Sequence, residues 1–167
     1  MEIRTIKPFL EYLDSIHERT LRAARCIPAD KLESLCAPGK FTAGDLLRHI
    51  AVTKRFMFAE TVLGHPHRYT TESRQLADGL DNVLALLERL HAESRELLSR
   101  LSDADLQRLC TTPTGAQIPV WVLLRAMTEH EIHHRGEVYH YLGLFGVAAP
   151  PLFGATSEQV KAAGTAL

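Results

Sequence analysis

The chain has 167 residues, 46% of them hydrophobic, and no stretch that reads as a linker, so it suits one domain with a sizeable buried core. A formal net charge of −1, without a basic block interleaved with aromatics, removes the electrostatic case for nucleic-acid binding. No run reaches the roughly 18 consecutive apolar residues of a membrane helix. The N-terminal MEIRTIKPFLEYLD is charged where a signal peptide would be apolar, and Cys26, Cys36 and Cys110 lack CxxC spacing, so a cytoplasmic protein with reduced thiols is expected.

From Ile6 to about Cys26, apolar residues at Ile6, Phe9, Leu10, Leu13, Ile16, Leu21 and Ala24 predict an amphipathic helix ended by Pro28. His17 borders that stripe with no partner in spacing and reads as a boundary histidine outside any site. Ala37-Pro38-Gly39-Lys40 is a turn leading to Thr42, whose hydroxyl can cap a second helix while Asp45 complements its positive end. That helix, Ala43 to about Leu63, presents Leu46, His49, Ile50, Thr53, Phe56, Met57 and Glu60 on one face. Gly64 closes it, and His65-Pro66-His67 opens a polar connection, read as surface, that reaches Ser73.

A third helix is predicted over Gln75–Leu101, where Leu76, Leu80, Val83, Leu84, Leu87, Leu90, Leu97, Leu98 and Leu101 form a heptad-like ladder. His91 flanks that seam and is expected to be exposed. After a turn at Ser102–Asp105, the segment Cys110–Gln117 is a loop or small hairpin, and Pro119 suits the first turn of the last helix. The tail from Gly146 to Leu167 has two prolines and one short helical candidate, Glu158–Ala163, and is expected to fray.

The last helix, Trp121–Phe145, carries four of the nine histidines. At about 100° per residue, Val120, Leu123, Met127, His134, Val138 and Tyr141 fall on one stripe, with His130 one turn before His134. His133 and His140 lie round on a flank and read as bystanders. Two imidazoles at i, i+4 have Cβ atoms only about 5–6 Å apart and can reach one divalent ion. The spacing alone fits two hydrogen-bonded histidines equally well. Burial among leucines and valines favours the ion, because unpartnered imidazoles there are costly. Four helical patterns without period-two alternation give an all-α four-helix bundle, in which His49, His130 and His134 would meet between facing helices. The long connections leave the helix order in space open. Phe58, Val62 and Trp121 are candidates for an exposed interface, though core is the simpler reading.

The segments FTAGDLLRHIAVT and EHEIHHRGEVYHYLGLFG resemble the DinB-like (DinB/YfiT) superfamily of metalloenzymes, and the likeness covers nearly the whole chain in helix order. The resemblance implies divalent-metal binding by His49, His130 and His134, and commonly a homodimer. The sequence departs from it at Glu137, where many relatives carry glutamine; a carboxylate there could orient His134, bind metal, or pair with Arg135 or another base. Gly136, costly inside a helix by about 1 kcal/mol, is expected to permit a close helix approach. Three imidazoles without a thiolate leave a fourth position for water or substrate, and zinc, nickel or iron would each suit them. The resemblance implies a transferase that attaches a low-molecular-weight thiol, such as bacillithiol or mycothiol, to an electrophilic small molecule. Two alternatives stand beside it: a metal-dependent hydrolase with Glu60, Glu131 or Glu137 as base, and a non-catalytic stress or binding protein stapled by its metal.

Overall fold

The protein is described from a computed structural model over residues 2–68 and 73–164. Helix α1 covers Ile6–Ala24 and α2 covers Ala43–Val52. The α2 start is fixed by the expected capping box: Thr42 Oγ1 accepts from the Asp45 amide at 2.9 Å, and Asp45 Oδ2 accepts from the Thr42 amide at 3.1 Å. The helix then runs on without a break as a π-helix, Thr53–Ala59, and a final α turn, Glu60–Val62. Helix α3 spans Leu80–Leu98, a hairpin pairs β1 (Leu109–Thr111) with β2 (Gln117–Pro119), α4 spans Val120–Leu144, and α5 spans Ser157–Ala163 in the tail.

Two features depart most from the sequence expectation. Helix α3 begins at Leu80, five residues later than Gln75, because Gly79 precedes it at φ +82°, a conformation no helix interior takes. The π-helix is the second departure. Its wider turn rotates the following side chains, so Lys54 and Phe58 are buried while Phe56 and Met57 are only half-buried. Phe58 and Val62 are core residues, and Trp121 packs against the core half-buried.

The connectivity answers the open question of helix order. Helix α1 packs on α4 and α3, while α2 packs on α3 and α4. One apolar cluster joins the C-terminal half of α1 (Leu21, Ala24), the N-terminal halves of α2 (Leu46, Ile50) and α3 (Val83, Leu87), and the C-terminal half of α4 (Val138, Leu142). The other joins the opposite ends, through Leu10, Leu13, Phe58, Leu98, Leu124 and Met127. Hence α1 runs parallel to α4, α2 runs parallel to α3, and the chain must cross the length of the bundle between α2 and α3. That crossing explains the long connection after Gly64. Between the two apolar clusters lies a polar layer, with His17 from α1, Lys54 from the π-helix, His91 and Ser94 from α3, and Glu131 from α4.

Candidate metal centre

Packing α2 against α4 brings the three sequence-predicted ligands together. The Nε2 atoms of His49 and His130 are 3.0 Å apart. The ring centroids lie 4.9 Å apart for His49 and His130, 4.7 Å for His49 and His134, and 4.5 Å for His130 and His134. One nitrogen from each ring lies within 4.8 Å of the others. Nitrogens that share a zinc ion at about 2.1 Å in tetrahedral geometry sit roughly 3.4 Å apart, so the observed spacing fits one ion.

The electrostatics fit as well. Burial, reinforced by the like charges His134 and His49 would carry, pushes the His130 pKa down to about 3, and burial also lowers that of His134. His130 and His134 are therefore neutral and offer lone pairs at ordinary pH. Two of the three rings have described partners on the far nitrogen. His134 Nδ1 lies 2.5 Å from Glu137 Oε2, and His49 Nδ1 lies 3.4 Å from Thr53 Oγ1. A carboxylate on Nδ1 fixes the tautomer that presents Nε2, the usual outer support of a metal-bound histidine. Glu137 contacts His134 through this bond, and with His133 and His134 it also forms a second group whose ligand atoms lie within 4.8 Å of one another; Arg135 instead donates to the Ile16 carbonyl at 3.2 Å.

Other candidates lie elsewhere. Glu60 is held by Arg55 at 2.7 Å, His65 at 2.9 Å and Arg68 at 2.9 Å. Burial alone would raise its pKa, but these three partners outweigh it and hold the carboxyl down at about 2. It is thus neither a support of the triad nor a free base. His65 remains exposed, as expected for the surface connection. Gly136 does not sit at a close helix approach: nothing lies within 4 Å of where its Cβ would be. Instead it lines a cavity of about 690 Å³ that opens beside His134. His133 and His140, exposed and outside the triad, line that cavity too.

Sequence reasoning missed the rest of the polar layer. His17 and His91, expected at the boundary and exposed, are both buried and stack at 3.8 Å with rings 7° from parallel. Lys54 Nζ lies 3.3 Å from His17 Nδ1, 3.2 Å from His91 Nδ1 and 2.6 Å from Glu131 Oε2. The last contact is an ion pair without hydrogen-bond alignment, between side chains 3% and 1% exposed. His91 Nε2 donates outward to Asp14 Oδ1 at 3.0 Å. Burial, together with the Lys54 charge, drives the His91 pKa down to about 3 and lowers that of His17. Burial would raise the Glu131 pKa, yet Lys54 and His17 keep it well below the usual carboxylate range, so Glu131 is a locked anion. The available signal was a polar residue in mid-stripe on every helix at matching height.

The sequence profile of the DinB superfamily matches residues 5–138. A DinB-like protein from Bacillus cereus ATCC 10987 superposes with a TM-score of 0.78 at 21% identity, covering 89% of this chain and 97% of its own. YfiT from Bacillus subtilis, described as a probable metal-dependent hydrolase with an unusual four-helix bundle topology, gives 0.67 at 19% identity over 86% of this chain and 89% of its own. A mutant of the mycothiol-dependent maleylpyruvate isomerase gives 0.67 at 14% identity over 93% of this chain and 65% of its own. At these identities the likeness is one of fold. No curated protein sequence matches the chain.

Proposed function

Because the chain belongs to the DinB superfamily, we propose that it is a metal-dependent transferase joining a low-molecular-weight thiol to an electrophilic small molecule. The observation that carries this reading is the three-imidazole set, which draws on two helices and opens at His134 into a cavity of about 690 Å³. His49, His130 and His134 would hold zinc or nickel, with iron also compatible with imidazole. An ion bound there would lower the pKa of a coordinated thiol, so that it reacts as a thiolate at neutral pH.

The residues of the chain do the remainder. Glu137 holds His134 in one tautomer, and burial keeps His130 neutral and ready to ligate. In the transfer, the thiol proton goes to solvent and a sulfur–carbon bond forms. The bond from that carbon to its leaving group breaks, and the leaving group takes the electron pair.

Hydrolysis is the second reading, supported by the description of YfiT. The disposition of carboxylates favours the thiol. Glu60 is tied to Arg55 and Arg68, Glu131 to Lys54, and Glu137 to His134, so each base the sequence offered for activating water is engaged. A thiol, with an unperturbed pKa of about 8.5, needs less help to ionise than water does.

The test is to load the protein with zinc or nickel and offer a panel of small thiols with 1-chloro-2,4-dinitrobenzene. Saturable conjugate formation that disappears in His130→Ala is expected. Absence of conjugate with every thiol, alongside metal-dependent cleavage of esters without added thiol, would replace transfer by hydrolysis.

A further inference from the structure

The cavity beside the triad has a chemical character of its own, and we propose that it binds an apolar, ring-sized carboxylate whose body lies over Gly136 and whose charge is held by Lys40. The proposal rests on the reading of His49, His130 and His134 as the reaction centre and adds to it the class of electrophile.

Three observations support it. The first is an apolar surface without a partner. Phe41 and Leu144, 44% and 62% exposed, face the same cavity as Leu46. Large apolar side chains left in water on facing walls mark a place where a ligand buries them. Phe41 also reaches the centre, since its ring centroid lies 5.7 Å from that of His49. Its backbone is anchored, because Tyr141 Oη donates to the Phe41 carbonyl.

The second observation is Gly136. In mid-helix it forfeits about 1 kcal/mol against alanine. No neighbouring helix uses the space, for nothing lies within 4 Å of its would-be Cβ. The bare backbone forms part of the cavity floor, where a side chain would stand in a ligand's place.

The third is charge. Lys40, His133 and His140 line the cavity, and Lys40 is exposed and makes no ion pair with any described residue. Glu137 is the only carboxylate among the described lining residues, and it is spent on His134. Lys40 is thus the cation that the described lining offers to an anion, and a bound divalent ion would add a positive field of its own. His140 follows His134 by six residues, about 9 Å of helix rise. A phenyl ring with a three-carbon chain is about as long as that stretch of the cavity wall.

The experiment is calorimetric titration of the zinc-loaded protein with 4-phenylbutyrate and with 4-phenylbutanamide, which differ in charge and little in shape. The acid should bind about ten-fold tighter, the size of one hydrogen bond to a charged group. In Lys40→Gln the acid should weaken to the level of the amide, with the amide unchanged. In Gly136→Leu both should fail to bind while zinc content stays at the wild-type value and the melting temperature does not fall, since leucine in an open mid-helix position restores helix propensity. Equal affinity for acid and amide, or Gly136→Leu binding as well as wild type, would overturn the proposal. So would an acid preference that survives Lys40→Gln, which would place the carboxylate on the metal instead. No thiol is present in this titration. It therefore reads the cavity alone, and selective binding here beside no conjugate in the thiol panel would remove the transfer chemistry and leave the cavity assignment standing.

Discussion

In the buried cluster, Lys54 carries its ammonium to within 3.3 Å of two imidazole nitrogens and 2.6 Å of the Glu131 carboxylate. In the triad, His49, His130 and His134 converge to a similar spacing, with no lysine or arginine of the described residues in hydrogen-bond contact with them. Both clusters belong to the polar layer between the same two apolar clusters. They differ in whether a cationic side chain among the described residues stands at the centre. The Lys54 cluster supplies its own and is closed to solvent; the triad opens onto a cavity through which a cation and a substrate can arrive. A ring of acceptors that is sealed and internally compensated reads as architecture, whereas one that is open, with no lysine or arginine among the described residues at its centre, is a candidate for binding a cation.

The largest effect expected from this contrast is on stability. Lys54→Met leaves Glu131 charged and unpaired in the core, and should lower the unfolding free energy by about 3–5 kcal/mol in urea titrations. Lys54→Met combined with Glu131→Leu should recover most of that loss, because an apolar pair has no charge to desolvate. If the single variant is as stable as wild type, the cluster is not the closed unit described here.

The pH dependence sharpens the same contrast. His91 has a folded pKa of about 3 against 6.5 when unfolded, and that of His17 is also lowered. Below pH 6.5 the unfolded chain therefore binds protons that the folded chain refuses, and stability must fall with pH. Each such histidine contributes a slope approaching about 1.4 kcal/mol per pH unit down to its folded pKa. Glu60 joins from about pH 4.5 towards 2, as its salt bridges are titrated. Metal-free His91→Gln should show a shallower decline than the metal-free wild type between pH 6.5 and 4.5, measured by chemical denaturation; equal slopes would contradict the assignment.

The smallest effect belongs to Glu137. Glutamine in its place can still accept a hydrogen bond from His134 Nδ1 but loses the negative charge, so Glu137→Gln should weaken zinc binding by about ten-fold in chelator competition. An unchanged affinity would mean that the 2.5 Å contact does not support the ligand.

Much of this was written locally in the chain. The Thr42–Asp45 capping box, the turn at Gly64 and the start of the last helix after Pro119 depend on neighbours in sequence, and each was legible. The inward direction of His49, His130 and His134 followed from helical period, because α4 keeps α geometry throughout and His49 precedes the π-helix. What lay beyond sequence depends on distant partners. His17 and His91 each meet Lys54 at a separation of 37 residues, and no local rule distinguishes a buried histidine with such a partner from a solvated one. The π-helix has no periodic signature, so Lys54 was not placed inside. The parallel pairing of α2 with α3 was hidden because a long connection fits either a crossing or a surface loop. Gly136 was misread for a related reason: a helical glycine signals missing bulk, and only the fold shows whether a helix or a cavity uses the space.

The central claim is that three imidazoles from two helices hold one ion. Elemental analysis of the purified, zinc-reconstituted protein beside His49→Ala tests it most directly, since His49 is the ligand furthest from the others in sequence. The account predicts about one zinc per chain in the wild type, as the triad geometry implies, and strongly reduced occupancy in the variant at the same free zinc. Full occupancy in His49→Ala, or no zinc retained by the wild type, would contradict it.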